Sequence, residues 1–226
     1  MRHEPTDFYT SEGNWKPANK TPRTIDFTGS ILDAKHVIAA YNTVPGNRPA
    51  TNGNLVAIWQ SAGIPWGQTP MQKQSITKDD PTGDQIFEFP LQRLPYVIAY
   101  GTSDTNKAWA ATVQFTPGQG TDGVSFVTSI DVQAAGNNSL LAIFSTPLLN
   151  NPNANGNWVG LWEGTQPTYD GTNRLKKVTV TATVASDSQS MSGLTLLMNT
   201  TYSLAYGIGP KDSDIAAWVT FTTQPF

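Results

Sequence analysis

No cysteine occurs anywhere in this chain. That removes disulfides, thiolate metal sites and a cysteine nucleophile at once. Histidine is almost as scarce, with only His3 and His36 present. A serine triad would have to use one of these two, and no G-x-S-x-G elbow accompanies them. A clustered His/Cys metal site fails on the same count. Charge is thin as well. Asp, Glu, Lys and Arg make up 14% of the residues, against about a quarter in ordinary domains. The formal net charge is -3, so a general phosphate-binding surface, and with it nucleic acid, is not expected. The basic run Arg174, Lys176, Lys177 reads as a solvated strand end. No apolar run approaches the ~20 residues of a membrane-spanning helix. The start, Met1 to Asp7, is polar and has no apolar h-region, so no classical signal peptide is expected and the chain reads as soluble. The compartment stays open between the cytoplasm and release by a non-classical route.

Helix-period segments are missing too. Gly and Pro number 19 and 16 and cut most of the chain into pieces too short for helices. What remains alternates like strands. Val37 to Tyr41, Leu55 to Gln60, Gln85 to Phe89, Tyr96 to Tyr100 and Ala110 to Phe115 are expected strands, followed later by Leu140 to Phe144. Val178, Val180, Ala182 and Val184 alternate with threonines, which predicts one strand with a single buried face.

The most informative feature is a repeat. Asn155-Gly156-Asn157-Trp158-Val159-Gly160-Leu161-Trp162 echoes Asn52-Gly53-Asn54-Leu55-Val56-Ala57-Ile58-Trp59. The match extends without a gap from Ile38–Ser61 to Leu141–Gly164 at a shift of 103. A second block, Tyr96–Thr116 against Tyr202–Thr222, aligns at a shift of 106. Two gapless blocks at nearly one shift point to a tandem duplication. A unit of about 100 residues is the size of an independent sandwich. The expected fold is all-β: two tandem immunoglobulin-like antiparallel β-sandwiches. The expected boundaries are a leader over 1–25, a first repeat over 26–117, a linker over 118–123 and a second repeat over 124–226. Phe8, Tyr9 and Trp15 in the leader argue that part of it docks on a domain.

Gly after Asn supplies a positive φ for a tight turn, and the next Asn can bond nearby backbone. The strand then begins at once. Val159 and Leu161 share one face; Trp158, Gly160 and Trp162 share the other. If the aliphatics face the core, the tryptophans face outward or lie beneath a loop. If the tryptophans are core, the aliphatics lie beneath something else. Trp158-Val159-Gly160-Leu161-Trp162, with Tyr202–Tyr206 and Ala217–Phe221 further on, resembles the SKICH pattern. That resemblance implies a small immunoglobulin-like sandwich and a non-catalytic targeting or interaction module. The first copy, Leu55–Trp59, lacks the Trp and the Gly of the motif.

Carboxylates are the remaining catalytic currency. Asp79, Asp80 and Asp84 share one loop, while Asp104, Asp212 and Asp214 fall in matching loops. Such groups could take calcium, but no calcium-loop motif is present and Asp is common in turns. Glu88 and Glu163 show no glycosidase-like spacing. Gly118, Gly120 and Gly123 mimic a dinucleotide motif, but Pro117 precedes them and no helix follows. No enzyme, metal or cofactor is expected. The leading expectation is a binding protein with two modules whose partner is a glycan or a protein surface. The candidate contacts are Trp158, Trp162 and Trp66 as rings for stacking, with Asn155 and Asn157 as polar neighbours. A self-assembling homo-oligomer is the second reading. A membrane-active toxin, resting on Ile64-Pro65-Trp66, is the third.

Overall fold

A computed structural model describes residues 14–225; His3, Phe8 and Tyr9 lie outside them. Among the described residues the strands pair antiparallel, with one short helical turn. In the first half, β2 (Asp26–Ile31), β3 (His36–Asn42) and β6 (Thr82–Glu88) form one sheet. Facing it is a sheet ordered β5 (Gln72–Ser75), β4 (Leu55–Trp59), β7 (Tyr96–Gly101), β8 (Trp109–Phe115) and β9 (Val124–Val127). Phe27 and Tyr41 from the first sheet meet Tyr100 of the second at 6.1 and 5.5 Å between ring centroids. That aromatic contact, with Val37, Val56, Ile98 and Val113, fills the space between the layers.

The second half repeats the plan. β10 (Ser129–Gly136), β11 (Ser139–Ser145) and β14 (Ser186–Ser192) make one side. β13 (Arg174–Thr179), β12 (Trp158–Glu163), β15 (Thr201–Gly207) and β16 (Ile215–Pro225) make the other. Here the strand β1 (Asn14–Thr24) lies between β16 and β10 and joins the two sides into one eight-stranded sheet.

The expected strands all form, with two departures. The strand expected over Val178–Val184 stops at Thr179. From there the chain crosses to the other layer: the Val180 N–H donates to Asn157 O at 2.9 Å, and the Asn153 N–H donates to Ala182 O at 3.0 Å. The alternation in sequence therefore spans a crossing, not one strand. Val124–Val127, expected at the head of the second repeat, instead pairs with β8 in the first half's sheet. The leader, likewise, supplies a full strand, and its Trp15 is half-buried between Ala135 and Pro225.

The Asn-Gly-Asn turns are built alike. Pro49–Asn52 forms one helical turn, α1, with proline at its first position and Gly53 at φ +71° closing it. Gly156 adopts φ +70° in the same role. Glycine is suited to both because a side chain resists this left-handed conformation. Asn157 accepts from Tyr206 Oη at 3.0 Å and from Asn150 Nδ2 at 2.8 Å. Asn54 accepts from Tyr100 Oη at 2.7 Å and from Asn47 Nδ2 at 2.6 Å. Each network anchors a loop to a central strand with its polar groups closed off from water. The Oδ1 atoms of both asparagines are bonded as buried polar atoms require, while Asn157 Nδ2 is buried without a partner.

Candidate functional site

The central strands resolve the question of which face is core. Val159 and Leu161 point between the layers, as Val56 and Ile58 do. The tryptophans lie on the opposite face, and they are covered. Trp59 meets Trp109 edge-on at 4.8 Å beside Ile64 and Val97. Trp158 and Trp162 are each 1% exposed. Their rings sit 6.3 Å apart with Gly160 between them, where a Cβ would come within 2.8 Å of both.

What covers them is the basic strand β13. Arg174 lies 5.4 Å over the Trp158 ring and 5.6 Å over Trp162, and Lys177 lies 4.6 Å over Trp158. A cation over an indole face is attracted by the ring quadrupole, by about 0.5–2 kcal/mol according to exposure. Asp212 Oδ1 accepts from both cations at 2.7 Å and ties the roof together. These two hydrogen bonds hold the Asp212 carboxyl below the usual carboxylate range. Trp158 and Trp162 are thus framework beneath a cationic roof, not a platform open to ligand. Arg174 and Lys177 form that roof, while Lys176, in the same run, lies alongside.

The other predicted contacts are occupied as well. Asn155 Nδ2 donates to Asn150 Oδ1 at 2.8 Å, and Asn157 is fully buried in the amide network. Trp66 is half-buried and donates its Nε1 proton to Leu148 O at 2.9 Å, joining the two halves. Of the acidic candidates, Asp79, Asp104, Asp212 and Asp214 are engaged, while Asp80 and Asp84 are exposed. Asp79 binds Arg48 at 2.9 Å and takes the Thr51 N–H at 2.8 Å, while Asp104 pairs with Lys73 at 2.6 Å. Asp214 is buried. Among the described residues, no three His, Cys, Asp or Glu side chains converge as a metal site.

Trp162 points to a different site. Its Nε1 donates to Thr168 Oγ1 and Thr172 O, both at 3.1 Å. This braces the loop between β12 and β13 from behind. The loop's other side forms one wall of a cleft of about 540 Å³ between the halves. Gln166, Thr168, Tyr169, Asp170 and Thr172 line that wall; Gly46, Arg48, Thr51 and Asn52 line the other. Gln166 Nε2 and Tyr169 Oη both approach Pro45 O at 3.4 Å across the floor. Burial pushes the Tyr169 phenol above its usual range, so it remains a neutral hydrogen-bonding group. A Cβ on Gly46 would collide with the Gln166 amide, so the glycine lets the walls approach.

The cleft therefore presents amides, hydroxyls, one phenol edge, one guanidinium and the Asp170 carboxylate. Sequence reasoning missed it because its walls come from segments about 120 residues apart. Its one local signal was the Gln166–Thr172 run of polar residues after the Trp162 strand.

No family model matches the chain. No curated protein matches it. Among solved structures, the chain is similar to the human OSCAR ligand-binding domain at 10% identity, with a TM-score of 0.26, over 90% of this chain and 97% of that one. It is also similar to trypsin-activated alpha-2-macroglobulin from Escherichia coli at 10% identity, with a TM-score of 0.27. That match covers 94% of this chain and 17% of the other.

Proposed function

We propose that this is a non-catalytic binding protein that holds a neutral, hydroxyl-rich ligand, an oligosaccharide, in the cleft between its halves. The observation that carries the reading is the composition of the cleft walls. Planar polar side chains such as Gln166, Asn52, Arg48 and Asp170 can meet adjacent sugar hydroxyls with fixed donors and acceptors. The Tyr169 ring adds an apolar edge for a sugar face. Its rim is open, which suits part of a chain better than an engulfed small molecule. Asp79 holds Arg48 and Thr51 in place from behind, so one cleft wall is set before ligand arrives.

A glycan array with full-length protein tests this. Wild type is expected to give reproducible hits, and the Arg48→Ala, Gln166→Ala double variant is expected to lose at least tenfold in signal. A blank array from folded wild type overturns the glycan reading.

Self-association has one observation behind it. β14 ends the eight-stranded sheet with a Ser-rich, mostly exposed strand that carries neither lysine nor proline. The matching edge of the first half is stitched to β5 by Gln72 Nε2 on Glu88 O and Gln74 Nε2 on Ile86 O. An unguarded edge is a template for another strand. Sedimentation of wild type over a wide concentration range decides this reading, and a strict monomer throughout removes it.

A further inference from the structure

We infer that the chain is a fused dimer of two equivalent repeats that have exchanged their leading strands, so each repeat is completed by the other and neither is an autonomous domain.

The argument rests on register. β1 leads into β2 of the first repeat, yet it pairs with β16 of the second. β9 leads into β10 of the second repeat, yet it pairs with β8 of the first. The two pairings agree residue by residue. Thr21 faces Thr220 as Val124 faces Gln114, and Pro22 faces Val219 as Ser125 faces Val113. Arg23 faces Trp218 as Phe126 faces Thr112, and Thr24 faces Ala217 as Val127 faces Ala111. In these four pairs each leading-strand residue is displaced by 103 positions from its counterpart, and each partner by 106. These are the shifts of the sequence repeat itself.

Two contacts between the halves obey the same operation. Trp66 Nε1 donates to Leu148 O, and Tyr169 Oη approaches Pro45 O. Trp66 and Tyr169 are 103 positions apart, and so are Pro45 and Leu148. Near the axis, the Thr102 N–H donates to Ala108 O at 3.0 Å, and the Ile208 N–H donates to Asp214 O at 2.9 Å. These two loops meet, with Thr102 Oγ1 3.4 Å from Asp214 Oδ1. The Trp66–Leu148 and Tyr169–Pro45 contacts map onto each other when the halves are swapped, as in an isologous, two-fold interface.

The arrangement explains why the leader is a strand. β16 would otherwise end its sheet as an open edge, as β8 would without β9. β9 reaches β8 through a hairpin. β1 must come from the far end of the chain and closes the pair.

The test uses the full chain with one protease site inserted between Gly118 and Gln119, in an exposed loop. The protein is folded first and then cut. The two fragments are expected to co-elute as one species of the uncut size and to remain together on dilution. Because the chain has no cysteine, two engineered pairs read the exchange directly. Thr21→Cys with Thr220→Cys, and separately Gln114→Cys with Val124→Cys, should each join the two fragments covalently on oxidation. Fragments that separate under native conditions overturn the inference. So do fragments that stay together while neither pair cross-links.

Discussion

Tyr206 donates its hydroxyl proton to Asn157 Oδ1 across 3.0 Å, at a point where both residues are fully buried. Asn157 also accepts from Asn150, so one amide oxygen ties strand β15 to the loop before β12. Tyr206→Phe leaves that oxygen with its second donor and should cost about 1 kcal/mol in urea unfolding. Asn157→Ala strands the tyrosine hydroxyl and one N–H of Asn150, whose amide also donates to Thr146 Oγ1, and should cost about 2–3 kcal/mol. Equal losses from the two variants would contradict the network.

The cationic roof makes its own prediction. Arg174 and Lys177 cover Trp158 and Trp162 and share the Asp212 carboxylate. The double variant Arg174→Ala, Lys177→Ala should raise acrylamide quenching of tryptophan fluorescence and lower stability by about 1–2 kcal/mol. Unchanged quenching would mean that something else shields the rings.

Two glycines exist because of the same tryptophans. A Cβ at Gly207 would overlap the Trp158 ring, and one at Gly160 would press on both rings. Gly207→Ala should destabilise the protein by about 2–3 kcal/mol. In the Trp158→Ala background the same change should cost much less, because the ring it strikes has gone. Additive losses would refute the steric account.

Acid dependence should show two opposed windows. Burial raises the Asp214 carboxyl above its ordinary 3.8, so the folded state favours its protonated form. Stability from this group therefore rises as pH falls from neutral through its folded pKa toward 3.8. Asp79 and Asp212 are lowered by their hydrogen bonds to Thr51 and Arg174, and their contribution is lost as pH falls through their folded values below 3.8. The Asp214→Asn variant should flatten the first window and leave the second. Urea midpoints at neutral pH, at pH values just above 3.8 and below it check the sign.

Much of the fold was legible in the sequence because strand alternation and the Asn-Gly-Asn turn are local signals. The aliphatic-in, tryptophan-out arrangement of β12 was legible only as an alternative. Alternation says which residues share a face, not what covers it, and the cover comes from Arg174 and Lys177 on a neighbouring strand. The basic run looked like a solvated strand end because nothing local ties it to Trp158. Val178–Val184 misled for a related reason: alternation continued through a crossing between layers. The strand β1 showed aromatics but not its partner β16, since that pairing joins opposite ends of the chain. The cleft was invisible for the same reason, its walls meeting only in three dimensions.

Amide chemical-shift mapping of the full-length protein against a panel of mono- and disaccharides at millimolar concentration is the most direct test of the binding site. Shifts should centre on Arg48, Thr51, Asn52 and Gln166–Thr172, and should leave the amides around Trp66 and Leu148 unmoved. A panel that moves no amide, or one that moves only amides away from the cleft, would contradict the account.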